Sequence, residues 1–213
     1  MNKKEMIDLI HSLIPSVTQK RYEKMREVLE KRTRHLTIVL EDIFQPHNAS
    51  AALRSCDSFG IQDMHVVEVK NKFSVVQTVA VGASQWLDVS HHKSIQECVQ
   101  RLKASGYRIV ATTPHKKSKY IHELNIDQKT ALLFGTEQYG LSDKAIEMAD
   151  EYVTIPMHGF VESFNVSVSV ALCLYELVTR LHSGELRGGL DRWQLTEDEK
   201  SEIMLKWLQM TIR

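Results

Sequence analysis

Three stretches of this 213-residue chain place polar side chains where a strand would hand over to a helix, and each could do chemistry. The first, QPHNASAALR (45–54), offers Asn48 and, six residues on, Arg54. An arginine fork at the carboxyl end of a parallel strand is a ready phosphate clamp; the bland alternative is an intrahelical pair with Asp57, worth a few tenths of a kcal/mol. Asn48 has the type of a helix N-cap. The second, LLFGTEQYGLS (132–142), spaces Gly135 and Gly140 as a phosphate-cradling GxxxxGK[ST] loop does. Leu141 stands where the lysine belongs, which excludes a P-loop NTPase and leaves a glycine turn with one carboxylate, Glu137. The third, IPMHGFVESFNVSVS (155–169), crowds Glu162, Ser163 and Asn165 between apolar neighbours at a helix start and reads as a binding loop. No GxG occurs, so the dinucleotide fingerprint is absent. His91, His92 and His158 lack partners at metal-ligand spacing and read as structural or solvent-facing; no metal is expected.

The elements that must hold these loops follow from periodicity. Met6, Ile7, Ile10, Leu13 and Ile14 recur at helical spacing up to Pro15, and a second helix is expected from about Val17 to Arg32, with Lys20, Arg21, Lys24 and Arg26 outward. HLTIVLEDI (35–43) reads as a buried strand. Beyond it, strands at 64–69, 85–90, 108–113, 131–135 and 151–156 alternate with helices capped by Asn48, around 94–104, and from Ser142 to about Ala149. The segment 163–181 alternates like a strand but also traces a helical stripe, and its length decides for helix. A linker (184–189) then precedes a last helix with a Thr196/Glu199 capping box and an inward Ile203, Trp207 and Met210. This alternation predicts an α/β fold: a mainly parallel sheet with helices on both faces and helical extensions at both ends.

Composition narrows the setting. Cys56, Cys98 and Cys173 are odd in number and far apart, so no disulfide framework is expected and a reducing cytoplasm is the natural location. No apolar run is long enough to span a membrane, and no signal peptide is evident. The net charge is zero, from 27 basic and 27 acidic residues, which argues against a nucleic-acid coat. The zero conceals structure: residues 20–34 carry +4, 93–119 carry +6, and 120–178 carry −7. Two basic blocks beside candidate loops suggest a phosphate-bearing ligand.

Taken together, NASAALR (48–54), LLFGTEQYGLS (132–142) and IPMHGFVESFNVSVSVALCLYE (155–176) resemble the three motifs of the SpoU-type (TrmH) branch of the SPOUT RNA methyltransferases, and the likeness runs from about Arg21 to Leu181, including GASQWL (82–87). The resemblance implies a deep trefoil knot over about 131–182 within a methyltransferase domain at 35–182, flanked by an RNA-gripping extension (1–34) and a C-terminal linker and helix (183–213). It implies methyl transfer from S-adenosylmethionine to a ribose 2′-OH, most like the members acting on guanosine 18 of the tRNA D-loop, and an obligate homodimer. Ribosomal RNA, another tRNA position, or a non-catalytic RNA-binding role are the alternatives. By position, the resemblance places Arg54, Asn48, Glu137, Ser163 and Asn165 at the reaction and Thr112, Gly135, Ile155, Met157 and Phe164 against the cofactor. Arg21, Arg26, Arg32, Lys116 and Lys117 would track the RNA. The chain departs from the tRNA members at Glu162 and Phe164, where they usually carry glutamine and leucine; the first bears on the RNA substrate, the second keeps apolar area for an adenine.

Overall fold

Every residue of LTIVLE is buried, and this run forms the central strand β1 (Leu36–Glu41). The computed structural model describes residues 2–114, 118–184 and 193–212. In chain order the other elements are α1 (Lys3–Leu13), α2 (Gln19–Leu29), α3 (Pro46–Ser58), β2 (Asp63–Val67), α4 (Gln77–Ala80), β3 (Asp88–His92), α5 (Ile95–Ala104), β4 (Arg108–Thr112), β5 (Lys119–Tyr120), β6 (Thr130–Phe134), α6 (Asp143–Met148), β7 (Glu151–Thr154), α7 (Val166–His182) and α8 (Glu197–Ile212).

The seven strands lie in the order β3-β2-β1-β6-β4-β7-β5, and every pairing between them is parallel. Ile38 stands opposite both Met64 and Leu132, which fixes the register of the sheet centre. Side chains alternate across a strand, and β1 shows it: Leu36, Ile38 and Leu40 enter a core with Leu53 of α3 and Val170 and Leu174 of α7, whereas Val39 enters a second core with Val99 and Leu102 of α5 and Ala145 of α6. Both faces are therefore covered, as a parallel sheet requires. The chain runs outward from β1 through β2 to β3, then crosses to β4 on the other side. That reversal opens a crevice above the carboxyl ends of β1 and β6, the usual ligand position in such sheets.

The segment expected as helix over 163–181 is helical from Val166 to His182. Val166, Val170, Cys173, Leu174, Leu177, Val178 and Leu181 are buried at helical spacing, and the Asn165 side chain accepts the Ser167 N–H at 2.8 Å as the N-cap. The expected caps at Ser142 and Thr196 are present. Two expectations need correction. Asn48 does not cap α3; Pro46 takes the first helical position and Gln45 precedes it, so Asn48 lies one turn in, with its amide free for long-range bonds. The short strand expected at 85–90 runs from Asp88 to His92, because Ala83–Gln85 closes a 3-10 turn first. The linker beyond Gly184 lies outside the described residues.

The terminal helices share a third core. Ile10 of α1 and Met25 and Leu29 of α2 pack with Ile203, Trp207 and Leu208 of α8, so the apolar stripe of α8 packs on its own chain. Trp207 is the largest fully buried side chain; its ring meets Trp86 edge-on at 5.5 Å and its indole N–H donates to the Trp86 carbonyl at 3.2 Å.

Candidate active site

Glycines shape the loop after β6. A Cβ on Gly135 would overlap the backbone of Gly140 and Leu141, and Gly140 adopts φ +69°, so this spacing serves a closed turn. Thr136 and Gly140 exchange backbone hydrogen bonds at 2.9 and 3.0 Å across it. The Glu41 carboxylate, buried at the end of β1, fixes the exit by accepting the Ser142 N–H at 2.9 Å and the Ser142 hydroxyl at 2.6 Å. With this loop anchored, Glu137 projects over the end of β1.

There it meets the other two motifs. Asn48 Nδ2 donates to Glu137 Oε1 at 2.7 Å, and Asn165 Nδ2 donates to Asn48 Oδ1 at 3.1 Å. Three side chains far apart in sequence thus form one hydrogen-bonded chain, each from a different predicted loop. Asn48 is buried, whereas Glu137 and Asn165 are exposed, so the chain has a fixed centre and a wet edge. Ser163, two residues before Asn165, is exposed and makes no hydrogen bond among the described residues. Arg54 is exposed on α3, two turns beyond Asn48, and has no ion pair or hydrogen bond among the described residues; Asp57 pairs with Arg32 instead.

Four of the other expected ligand contacts lie at the carboxyl ends of β4, β6 and β7. Thr112 ends β4 and donates its hydroxyl to the Leu133 carbonyl at 2.7 Å. Gly135 follows β6. Ile155 and Met157 are half-buried beyond β7, and Phe164 is 39% exposed. Thr112, Gly135, Ile155 and Met157 thus share one end of the sheet, and Ile155, Met157 and Phe164 offer apolar area.

The basic blocks look different once folded. Arg32 is corrected as an RNA-tracking residue: it is 1% exposed, its guanidinium is held by Asp57 and by the Ile61 carbonyl at 2.9 Å, and it lies over the Trp207 ring. Arg34 forks between Asp63 and Asp88 at 3.1 and 3.0 Å. Arg101, Lys103, Arg108 and Lys119 are each paired with Glu97, Asp150 or Glu151. Lys116 and Lys117 lie outside the described residues. Lys20, Arg21 and Arg26 remain exposed on α2 without an acidic partner among the described residues, Arg21 lying 4.9 Å from the Trp86 ring centroid.

Sequence reasoning missed three features. Glu41 sits in an apolar strand and reads as a strand end. Asp42 adopts φ 54° and its Oδ1 accepts the N–H groups of Val69, Lys70 and Asn71 at 3.0, 2.7 and 2.8 Å, a join that only sheet pairing creates. His92 is not without partners: its Nε2 is 3.0 Å from His65 Nδ1, and Cys98 brings a third potential ligand atom within 4.8 Å. Burial lowers the His65 pKa to about 4, with the His92 charge as the smaller cause, and burial lowers that of His92 too. The Cys98 thiol is pushed up to about 12 by burial. The adjacent spacing of His91 and His92 gave no signal of this cluster, because its members come from two strands and a helix.

A sequence profile described as the SpoU rRNA Methylase family matches residues 35–175. A Borreliella burgdorferi protein named tRNA (guanosine(18)-2′-O)-methyltransferase is 40% identical over 98% of this chain and 94% of its own length. A Thermus thermophilus protein of the same name is 33% identical over 90% of this chain and 97% of its own length. The crystal structure described as an A. aeolicus TrmH/SpoU tRNA modifying enzyme superposes with a TM-score of 0.82 at 30% identity, covering 92% of this chain and 98% of that one.

Proposed function

Because the chain belongs to the SpoU rRNA methylase family, we propose that it transfers a methyl group from S-adenosylmethionine to the ribose 2′-OH of guanosine 18 in the tRNA D-loop, the reaction for which its full-length relatives are named. The observation that carries this reading is the Glu137–Asn48–Asn165 chain, which joins all three motifs at one point. The residues around it fit the cofactor. Ile155, Met157 and Phe164 supply apolar surface for an adenosine, beside the closed turn that Gly135 permits after β6. Once bound, S-adenosylmethionine supplies a methyl group on a positively charged sulfur.

The residues of this chain then prepare the acceptor oxygen. A ribose hydroxyl is a weak nucleophile; as its oxygen gains the methyl group from sulfur, leaving a neutral thioether, its proton passes to solvent water at the exposed edge of the site. A guanidinium keeps its own proton at neutral pH, so Arg54 acts as a cation: it holds the phosphate next to the target ribose and stabilises the negative charge developing on the 2′-oxygen. With no partner among the described residues, it is available for that phosphate. Asn48 fixes the Glu137 carboxylate at one oxygen and Asn165 at the head of α7, so the ribose meets a pre-set polar surface. Ser163 stands at the same edge.

Lys20, Arg21 and Arg26 form the charged face that grips the RNA backbone, together with Lys116 and Lys117. The knot over about 131–182 and a homodimer complete the reading. Val168, Leu172 and Tyr175 form an exposed apolar stripe on α7, and Phe160 and Val161 extend it; a second copy of the chain covers this surface.

The test is to incubate the protein with labelled S-adenosylmethionine and separate tRNA and ribosomal RNA pools, then map the methylated ribose. Label confined to guanosine 18 of tRNA is expected; label confined to ribosomal RNA would overturn the substrate. Arg54→Lys keeps the charge but loses the planar fork, and its turnover is expected to fall by about 100-fold. Near-full turnover would end the clamp role.

A further inference from the structure

One cavity beside the reacting chain has no role in the mechanism above. It has a volume of about 570 Å³ and opens above the ends of β1 and β2 and the loop after β6. Its lining includes Asp42, Phe44, Lys70, Gln138, Tyr139 and Glu137. None of the five positions assigned to the cofactor lines it, so the cofactor leaves it free. Glu137 and Gln45 belong to both the cavity and the polar chain, Gln45 Oε1 lying 3.5 Å from Asn48 Nδ2. A ribose held at Glu137 and Asn48 would carry its base into this space.

The wall chemistry suits a base. Phe44 is 71% exposed and Tyr139 is 81% exposed, and no core packing explains two aromatic rings held in solvent at the rim of one cavity. An aromatic face stacks on any nucleobase. The polar groups suit a guanine edge, which offers N–H donors on N1 and N2 and acceptors at O6 and N7. Asp42 Oδ1 is occupied by three backbone N–H groups, whereas Oδ2 accepts from no described residue. Lys70 is exposed and makes no ion pair among the described residues, so it can donate to a carbonyl oxygen. We propose that this cavity is the binding site of the target guanine, with Phe44 and Tyr139 stacking on the base, Asp42 Oδ2 accepting from its N1/N2 edge and Lys70 donating to O6. This rests on the reading of the protein as a guanosine 2′-O-methyltransferase and assigns the residues that recognise the base.

The experiment uses the full chain and tRNA transcripts carrying guanosine, inosine or 2-aminopurine at position 18. Phe44→Leu and Tyr139→Leu are expected to raise KM for the guanosine transcript about tenfold, with kcat and S-adenosylmethionine affinity little changed, and to lose the fluorescence quenching that stacking imposes on 2-aminopurine. Tyr139→Phe keeps the ring and restores both. Inosine lacks the 2-amino group; the wild type is expected to prefer guanosine, and Asp42→Asn, which tolerates the same backbone and keeps one carbonyl oxygen, to narrow that preference. Leucine variants with unchanged KM and unchanged quenching would overturn the base site while leaving the methyl transfer intact. A wild-type protein that methylates none of the guanosine transcripts would instead overturn the reading beneath it.

Discussion

At the scale of single residues, the site depends on backbone freedom as much as on polar chemistry. Gly135 has no room for a side chain, because Gly140 and Leu141 pass where a Cβ would stand. Gly135→Ala must therefore open the turn that presents Glu137. The expected result is a lower melting temperature, a loss of about 1–3 kcal/mol, and weaker S-adenosylmethionine binding by calorimetry; wild-type values for both would refute the packing argument. Asn48 shows how far residue type alone could be read. Its fitness as a cap was legible, but its work is done by an amide that bridges Glu137 and Asn165, partners 89 and 117 residues away. A residue's type says which bonds it can make, and only its neighbours in space say which it does make.

At the scale of elements, two predictions concern packing between them. His65 on β2 and His92 on β3 share a hydrogen bond against α5, where burial keeps them neutral. The folded His65 pKa lies near 4, below its ordinary value of 6.5, so the unfolded chain binds the proton more readily across that window. Stability is full above pH 6.5 and is lost as the pH falls toward 4, by about 3 kcal/mol at most for this group. Denaturant midpoints measured from pH 7.5 to 4 are expected to fall on this slope, and His65→Leu to flatten it; an unchanged slope in the variant would refute the assignment. The second prediction concerns α1 and α2. Removing residues 1–33 would bare Trp207, Ile203 and Leu208, so the truncated protein is expected to aggregate. Substituting Lys20, Arg21 and Arg26 by glutamine tests the grip on RNA without that damage. The expected outcome is weaker tRNA binding and a salt dependence shallower by up to about 2–3 in log–log slope, with unchanged cofactor binding.

At the scale of the whole molecule, the exposed stripe of Val168, Leu172 and Tyr175 is the surface on which assembly would rest. A Leu172→Glu, Tyr175→Glu variant is expected to sediment as a monomer and to lose methyl transfer, while the wild type sediments as a dimer; a monomeric, active wild type would overturn the homodimer. Charge is also a property of this scale. The +6 block at 93–119 reads from sequence as a basic surface, yet four of its seven cations are bound to Glu97, Asp150 or Glu151. What the sequence alone determined is what depends on near neighbours. The alternation of strands and helices, the caps at Ser142 and Thr196, the helix at 166–182 and the three polar loops all follow from spacing within a few residues. The tertiary structure alone decided which distant groups meet. The parallel order of the sheet sets β6 beside β1, which brings Glu137 to Asn48 and Ser142 to Glu41 and opens the aromatic-rimmed cavity, while packing against α3 and α8 buries Arg32 instead of offering it to RNA. Strand order across a sheet is a long-range property, fixed by which apolar faces bury one another, and no local period of the chain encodes it.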